Sequence, residues 1–133
     1  MDAPGVATEP MIVLRVTLRR LPLGETPFGT RLEVPFEGTA TSPHWTGERQ
    51  VTGVDHLAVS SDGVAAIDVH TVISGDDETI LYRGHGRSGP DGLREGVTFQ
   101  TASDRLGWLN HTVALGRGSL DGQELTIELF QVT

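Results

Sequence analysis

Between Val64 and Arg87 apolar and polar residues change places at almost every step, and this alternation constrains the fold more than any other feature of the chain. Ile67, Val69, Thr71 and Ile73 interleave with Ala66, Asp68, His70 and Val72, the period of two of a strand whose side chains point to opposite faces. Ser74 to Glu78 is a cluster of turn formers, and Thr79 to Gly86 alternates again. Folding one run back on the other sets Asp68 opposite His85, His70 opposite Arg83 and Thr71 opposite Tyr82. One face of the hairpin then carries Ile67, Val69, Thr71, Ile73, Ile80 and Tyr82, with Gly84 and Gly86 adding no side chain. The other carries Asp68, His70, Arg83 and His85, with Val72 and Leu81 near the turn. A sheet with one oily face has to cover it, so the pattern predicts a β-rich body closed over an apolar interior.

The flanking segments read the same way. A strand is expected over Met11–Arg20, a loop over Pro22–Gly29 and a strand over Arg31–Phe36, with an edge or bulge at Pro35, which has no N–H to give. Gly38–Gly53 is the least regular stretch: a short strand near Gly38–Thr41, a turn at Ser42-Pro43, then a strand from Trp45 towards Val51. Val54–Val59 is a strand ended by the Asp62-Gly63 turn. Ser88–Glu95 reads as a loop, Val97–Thr101 as a short strand, and Ala102–Trp108 as a connection with one helical turn. Leu109–Ser119 and Glu124–Val132 form a last hairpin about Asp121-Gly122, pairing Leu115 with Glu128 and Val113 with Phe130. No amphipathic helix is visible. About eight to ten strands joined by Gly, Asp and Pro turns make an all-β fold, an antiparallel barrel or sandwich. Both faces of the last hairpin are apolar, so a partner subunit is expected to cover the outer one, making a homo-oligomer.

The 133 residues suit one domain, expected over 11–133 behind a loose arm at 1–10. Eighteen acidic against ten basic residues give a net charge of −8, which argues against a grip on nucleic acid or an anionic membrane. Cysteine is absent, which excludes disulfides, zinc–thiolate sites and thiol nucleophiles. No secretory leader and no apolar run of ~20 residues is present, so the expected location is cytoplasmic.

Asp55, His56, His70 and His85 are the titratable candidates for chemistry near neutral pH. His70 beside Asp68 or Asp55 would make a base poised by a carboxylate. The competing reading joins Asp68, His70, Arg83 and His85 as a cross-strand charged ladder on a solvated face. The histidines at 44, 56, 70, 85 and 111 lack the spacing that puts two ligands on one element, so neither a metal nor a cofactor is expected. Gly84 and Gly86 mark either a bend or open volume for a ligand. Asn110 would orient a carbonyl or hydroxyl inside a barrel, or else bond to backbone. Neither a nucleophile elbow nor a phosphate-binding glycine loop is present.

Several phrases follow one another in a telling order: L-G-E-T-P-F-G-T-R (23–31), G-V-D-H-L (53–57), S-D-G (61–63), D-V-H-T-V (68–72), D-D-E-T-I-L-Y-R-G-H-G-R (76–87), F-Q-T (99–101) and G-W-L-N-H-T-V (107–113). Together they resemble the proteins grouped as domain of unknown function 3237, over roughly Ile12 to Val132. The resemblance implies a compact, oligomeric antiparallel β-barrel, similar to allene-oxide-cyclase-like barrels, a kind that binds apolar small molecules and includes cyclases and isomerases of secondary metabolism. This chain departs from the pattern at His56, His70, Glu78 and Gln100. Two of these replace arginines, so an anionic ligand held by those arginines is not expected. The reading that results is a lumen for an apolar small molecule, with a cofactor-free cyclisation or isomerisation. Asp55 and His70 are the candidate catalytic residues, and Thr71, Tyr82, Gly84, Trp108 and Asn110 the candidate ligand contacts. A non-catalytic carrier and a structural oligomer with a filled core are the alternatives, and a cavity measurement separates the last from the others.

Overall fold

The computed structural model describes residues 3–133 as nine antiparallel strands and one short 3-10 helix. The strands are β1 (Ile12–Leu18), β2 (Leu21–Thr26), β3 (Gly29–Thr41), β4 (Arg49–Val59), β5 (Ala65–Gly75), β6 (Glu78–Gly89), β7 (Gly92–Thr101), β8 (Val113–Asp121) and β9 (Glu124–Gln131). From β3 to β9 each strand pairs with its successor, and β1 closes the ring by pairing with both β3 and β9. β1 and β2 follow one another along β3, so nine strands make the eight staves of a closed barrel. Closure leaves β2, paired with β3 alone, as the strand with an open edge among the described residues, and an eight-stranded barrel is just wide enough to be filled by side chains or to hold one small ligand.

The β5–β6 hairpin has the register that alternation predicts, with Asp68 opposite His85, His70 opposite Arg83 and Thr71 opposite Tyr82. Its turn is the two residues Asp76 and Asp77, both with positive φ (50° and 60°), the geometry that matches the twist of the flanking strands. Ile67, Val69, Thr71, Ile73, Ile80 and Tyr82 all point inward and are buried.

Several segments differ from the sequence reading. Pro22–Gly29 is not simply a loop: Leu21–Thr26 pairs with β3 alone, around an irregularity between Pro22 and Gly24. Gly38–Thr41 is not a separate short strand but the end of the long β3, and the strands expected from Trp45 towards Val51 and over Val54–Val59 are one strand, β4, which starts at Arg49. Pro35 sits at the β1–β2 corner, where its carbonyl accepts the Arg19 N–H at 2.9 Å, so the donor it lacks falls where the ladder changes partner. β7 begins at Gly92, because Pro90-Asp91 is a two-residue turn between the paired Gly89 and Gly92. In the last hairpin Gly122 takes a positive φ of 64° and the turn moves on by one residue, so Leu115 faces Phe130 rather than Glu128. A shift of two in the partner keeps every side chain on its face, so Ala114, Ile127 and Leu129 are buried as the pattern requires. On the outside Val113 and Leu115 are nearly half exposed.

Of the arm expected at 1–10, Met1 and Asp2 lie outside the described residues. Val6 bridges Val132, and the N–H groups of Gly5, Ala7 and Met11 donate to the carbonyls of Thr133, Gln131 and Leu129. No helix among the described residues is long and apolar enough to cross a membrane.

The two ends of the barrel are different. The segment after β7 crosses one end, where the 3-10 helix Gly107–His111 drives Leu109 into the core beside Leu106 and Met11. A polar clasp tightens that end: Arg49 and Arg105 donate to Glu78 Oε1 at 2.7 and 2.6 Å, and the Ser103 hydroxyl donates to Oε2. These bonds hold the Glu78 carboxyl down at about 2, the Arg105 bond contributing most. The buried Arg49 guanidinium also lies 4.5 Å from the Trp45 ring. At the other end, the β4–β5, β6–β7 and β8–β9 turns stand around an opening.

Candidate functional site

Inside the opening lies a cavity of about 260 Å³. Its wall is largely apolar, from Val34 on β3 through Ile67 and Val69 on β5 to Leu93 on β7 and Ile127 on β9, while β6 contributes Ser88 and Gly89. Its polar side chains are Arg20 and Ser88 towards the rim, and Asp55. Strand parity puts Asp55 there: β4 sends Val51, Asp55 and Leu57 inward and His56 outward. Burial lifts the Asp55 carboxyl from its ordinary 3.8 to about 6, although the Asp68 N–H, donated to Oδ1 at 3.3 Å, and His56 pull it down.

One pleat below the cavity the interior becomes solid and carries a second acid. Along β7 the inward residues are Leu93, Glu95, Val97 and Phe99, so Glu95 follows directly beneath a residue of the cavity wall. It is only 4 % exposed. The Tyr82 hydroxyl donates to Glu95 Oε1, while Oε2 is buried with no partner among the described residues. Burial raises Glu95 to about 7. The Tyr82 bond lowers it and the nearby Asp55 charge raises it further. Tyr82 is itself pushed well above 10 by burial and by Glu95, so it stays a donor. Thr71 lies at the same level, its hydroxyl buried without a partner among the described residues.

Glycines make the room for this carboxylate. A Cβ at Gly84 would stand 2.6 Å from Glu95 Oε2, and one at Gly116 would stand 2.8 Å from Glu95 Cγ. The volume left by Gly84 is therefore taken by Glu95 and is not free for a ligand. Gly86 has another cause, because its Cβ would run into the Arg94 carbonyl oxygen of the next strand.

Of the expected residues Asp55 lines the cavity; Thr71, Tyr82 and Gly84 lie in the packed layer beneath it, where the expected ligand contacts are core, and the rest are elsewhere. His70 lies outside, half exposed, because its parity is opposite to that of Val69 and Thr71. His70 and His85 place Nε2 at 3.4 and 3.3 Å from Asp68 Oδ1, with Arg83 Nε at 3.6 Å, which is the solvated charged ladder. His70 thus cannot reach a guest in the lumen. Trp108 belongs to the closed end, its ring 4.7 Å from that of His44. Asn110 is exposed there and exchanges two hydrogen bonds with the Thr101 backbone, at 2.8 and 2.9 Å. Neither lines the cavity, because the 3-10 helix turns them away from the strand ladder. Glu95 was missed by the sequence reading; the signal for it is the run Leu93-x-Glu95-x-Val97-x-Phe99, hidden when Ser88–Glu95 is taken as a loop. Among the described residues no group of three or more metal-binding side chains converges.

Known structures share this architecture end to end. A β-barrel-like protein from Acinetobacter baumannii superimposes with a TM-score of 0.85 at 22% identity, covering 100% of this chain and 98% of that one. A conserved protein of unknown function from Rhodopseudomonas palustris gives 0.85 at 17% identity, over 98% and 100%. An enzyme from Penicillium herquei gives 0.75 at 18% identity, over 100% and 97%. At these identities the likeness establishes the fold alone. No curated protein matches the sequence. The family model described as "Protein of unknown function (DUF3237)" matches residues 6–91, well over half of the chain, and the protein belongs to that family.

Proposed function

We propose that this protein is a cofactor-independent acid–base enzyme that cyclises or isomerises a small, largely apolar molecule in the open half of its barrel. The observation that carries the reading is Asp55, an acid set in the wall of an otherwise oily cavity. A carboxyl lifted to about 6 sits near the working pH, where it both takes and returns a proton. Structural needs do not call for an acid there, and strongly perturbed groups in clefts concentrate at functional sites. Glu95 and Tyr82 act as a positioning pair under the floor: they fix a second charge near Asp55 without touching the guest. The apolar wall excludes water and holds a reactive conformer. Proton removal at one atom and return at another within the same molecule consumes no co-reactant and leaves the mass unchanged. The resemblance in shape to an enzyme from Penicillium herquei is in keeping with a catalytic role.

Unchanged mass makes the reaction recognisable without knowing the substrate. The full chain is incubated with a metabolite extract of its own host, and the extract is followed by liquid chromatography and mass spectrometry. The expected result is a compound that moves to a new retention time at constant mass with the wild type and does not move with Asp55→Asn. Enrichment of a compound that never converts would make the protein a carrier. Enrichment of none by either protein would leave a structural barrel.

A further inference from the structure

The polar groups offered to a guest are strongly one-sided. Asp55 Oδ1 already accepts the Asp68 N–H, which leaves Oδ2 for a ligand. Beneath the floor Glu95 adds a second carboxylate, with Oε2 unpartnered among the described residues. Among the described residues no cation lines the deep part of the cavity: Arg20, the one basic side chain of its wall among them, is exposed at the rim. A carboxylate or phosphate brought to Asp55 would meet like charge in a poorly screened interior and lose its own hydration. A pure hydrocarbon would leave the buried Asp55 oxygen unpaired, which also costs free energy. A guest that presents a hydroxyl meets both demands. Size adds a limit, since a dry cavity of about 150 Å³ takes up a benzene, and this one measures about 260 Å³.

We infer that the lumen selects an uncharged, compact, mono- or bicyclic apolar molecule carrying a hydroxyl that donates to Asp55. This names the substrate class of the site proposed above and rests on that reading. Ionised acids are rejected and bare hydrocarbons are bound less well.

Three probes on one bicyclic frame test it: tetralin, 2-tetralol and tetralin-2-carboxylate, titrated calorimetrically into the full chain at pH 7.5. The alcohol is expected to bind at least about tenfold tighter than the hydrocarbon, as a hydrogen bond to a charged acceptor allows. The carboxylate is expected to be the weakest of the three. In Asp55→Leu the preference for the alcohol should fall to within about twofold, while tetralin still binds; a retained strand circular-dichroism spectrum shows that the variant is folded. Equal affinity for alcohol and hydrocarbon in the wild type overturns the inference and leaves the lumen reading standing. Carboxylate binding as tight as that of the alcohol overturns it too, and would place recognition at Arg20. If none of the three binds, the lumen reading falls with it. Catalysis is judged separately, by the conversion at constant mass.

Discussion

Asp55 ionises inside an apolar wall, and the free-energy cost of that charge falls on the folded state. Its carboxyl is at about 6 in the fold against an ordinary 3.8. Between those values the folded chain holds a proton that the unfolded chain has released, so stability falls as pH rises from about 4 to about 6 and the deficit is complete above that. A shift of about two units corresponds to roughly 3 kcal/mol at most. Asp55→Asn keeps an oxygen for the Asp68 N–H and removes the charge. It should therefore stabilise the protein at pH 7.5 by about 1–3 kcal/mol and give almost nothing at pH 4. Urea denaturation of both proteins at the two pH values checks this. A gain of equal size at both, or a loss at pH 7.5, would show that Asp55 is not strained by burial. Glu95 titrates in both proteins, so the difference between them isolates Asp55 and its push on Glu95. Stabilisation on removing a group is the mark of one kept for a purpose other than folding.

At the scale of the strand, the β6–β7–β8 surface is built around one carboxylate. Gly84→Ala should cost about 1–3 kcal/mol, because the new methyl group overlaps the Glu95 head in a packed interior. In a Glu95→Ala background the same substitution should cost less than half as much, since the two positions share one volume. A thermal-denaturation double-mutant cycle measures the coupling, and additive costs would mean that Gly84 answers to strand bending instead. The same surface shows what sequence can and cannot disclose. The β5–β6 register is legible because both runs alternate cleanly and a two-residue turn allows only one pairing. Asp55 is legible as a titratable residue on a strand. Glu95 is not, because the Gly-Pro-Asp-Gly turn and the adjacent charges of Arg94 and Glu95 disguise the start of β7 as a loop. His70 misleads in the opposite sense: its chemistry is suitable and its parity is wrong. Trp108 and Asn110 lie beyond the strand pattern, in a 3-10 turn whose direction no period of two can set.

The molecule as a whole is a barrel plugged at one end and open at the other, and this division of labour has its own test. The closed half concentrates stability: Leu106 and Leu109 are almost wholly buried and the Arg49–Glu78–Arg105 clasp lies over them. The open half is underpacked, holding about 260 Å³ that its side chains do not fill. Close-packed interiors give up about 2–5 kcal/mol when a leucine is cut to alanine, whereas a residue enlarged into existing space meets little resistance. Leu109→Ala should thus destabilise the fold by about 2–5 kcal/mol and leave tetralin binding within about threefold of the wild type. Val34→Phe, in the cavity wall, should do the reverse: the melting temperature changes by no more than a few degrees, and binding of the probe is lost. Thermal scans and the same calorimetric titration on each variant give both readouts. If Val34→Phe unfolds the protein while tetralin binding in wild type is absent, the open half is as tightly packed as the closed half, and the barrel has no interior to offer. The predicted pair of opposite outcomes is possible only where folding and binding are carried by different layers of one lumen, with Asp55 and Glu95 at the boundary between them.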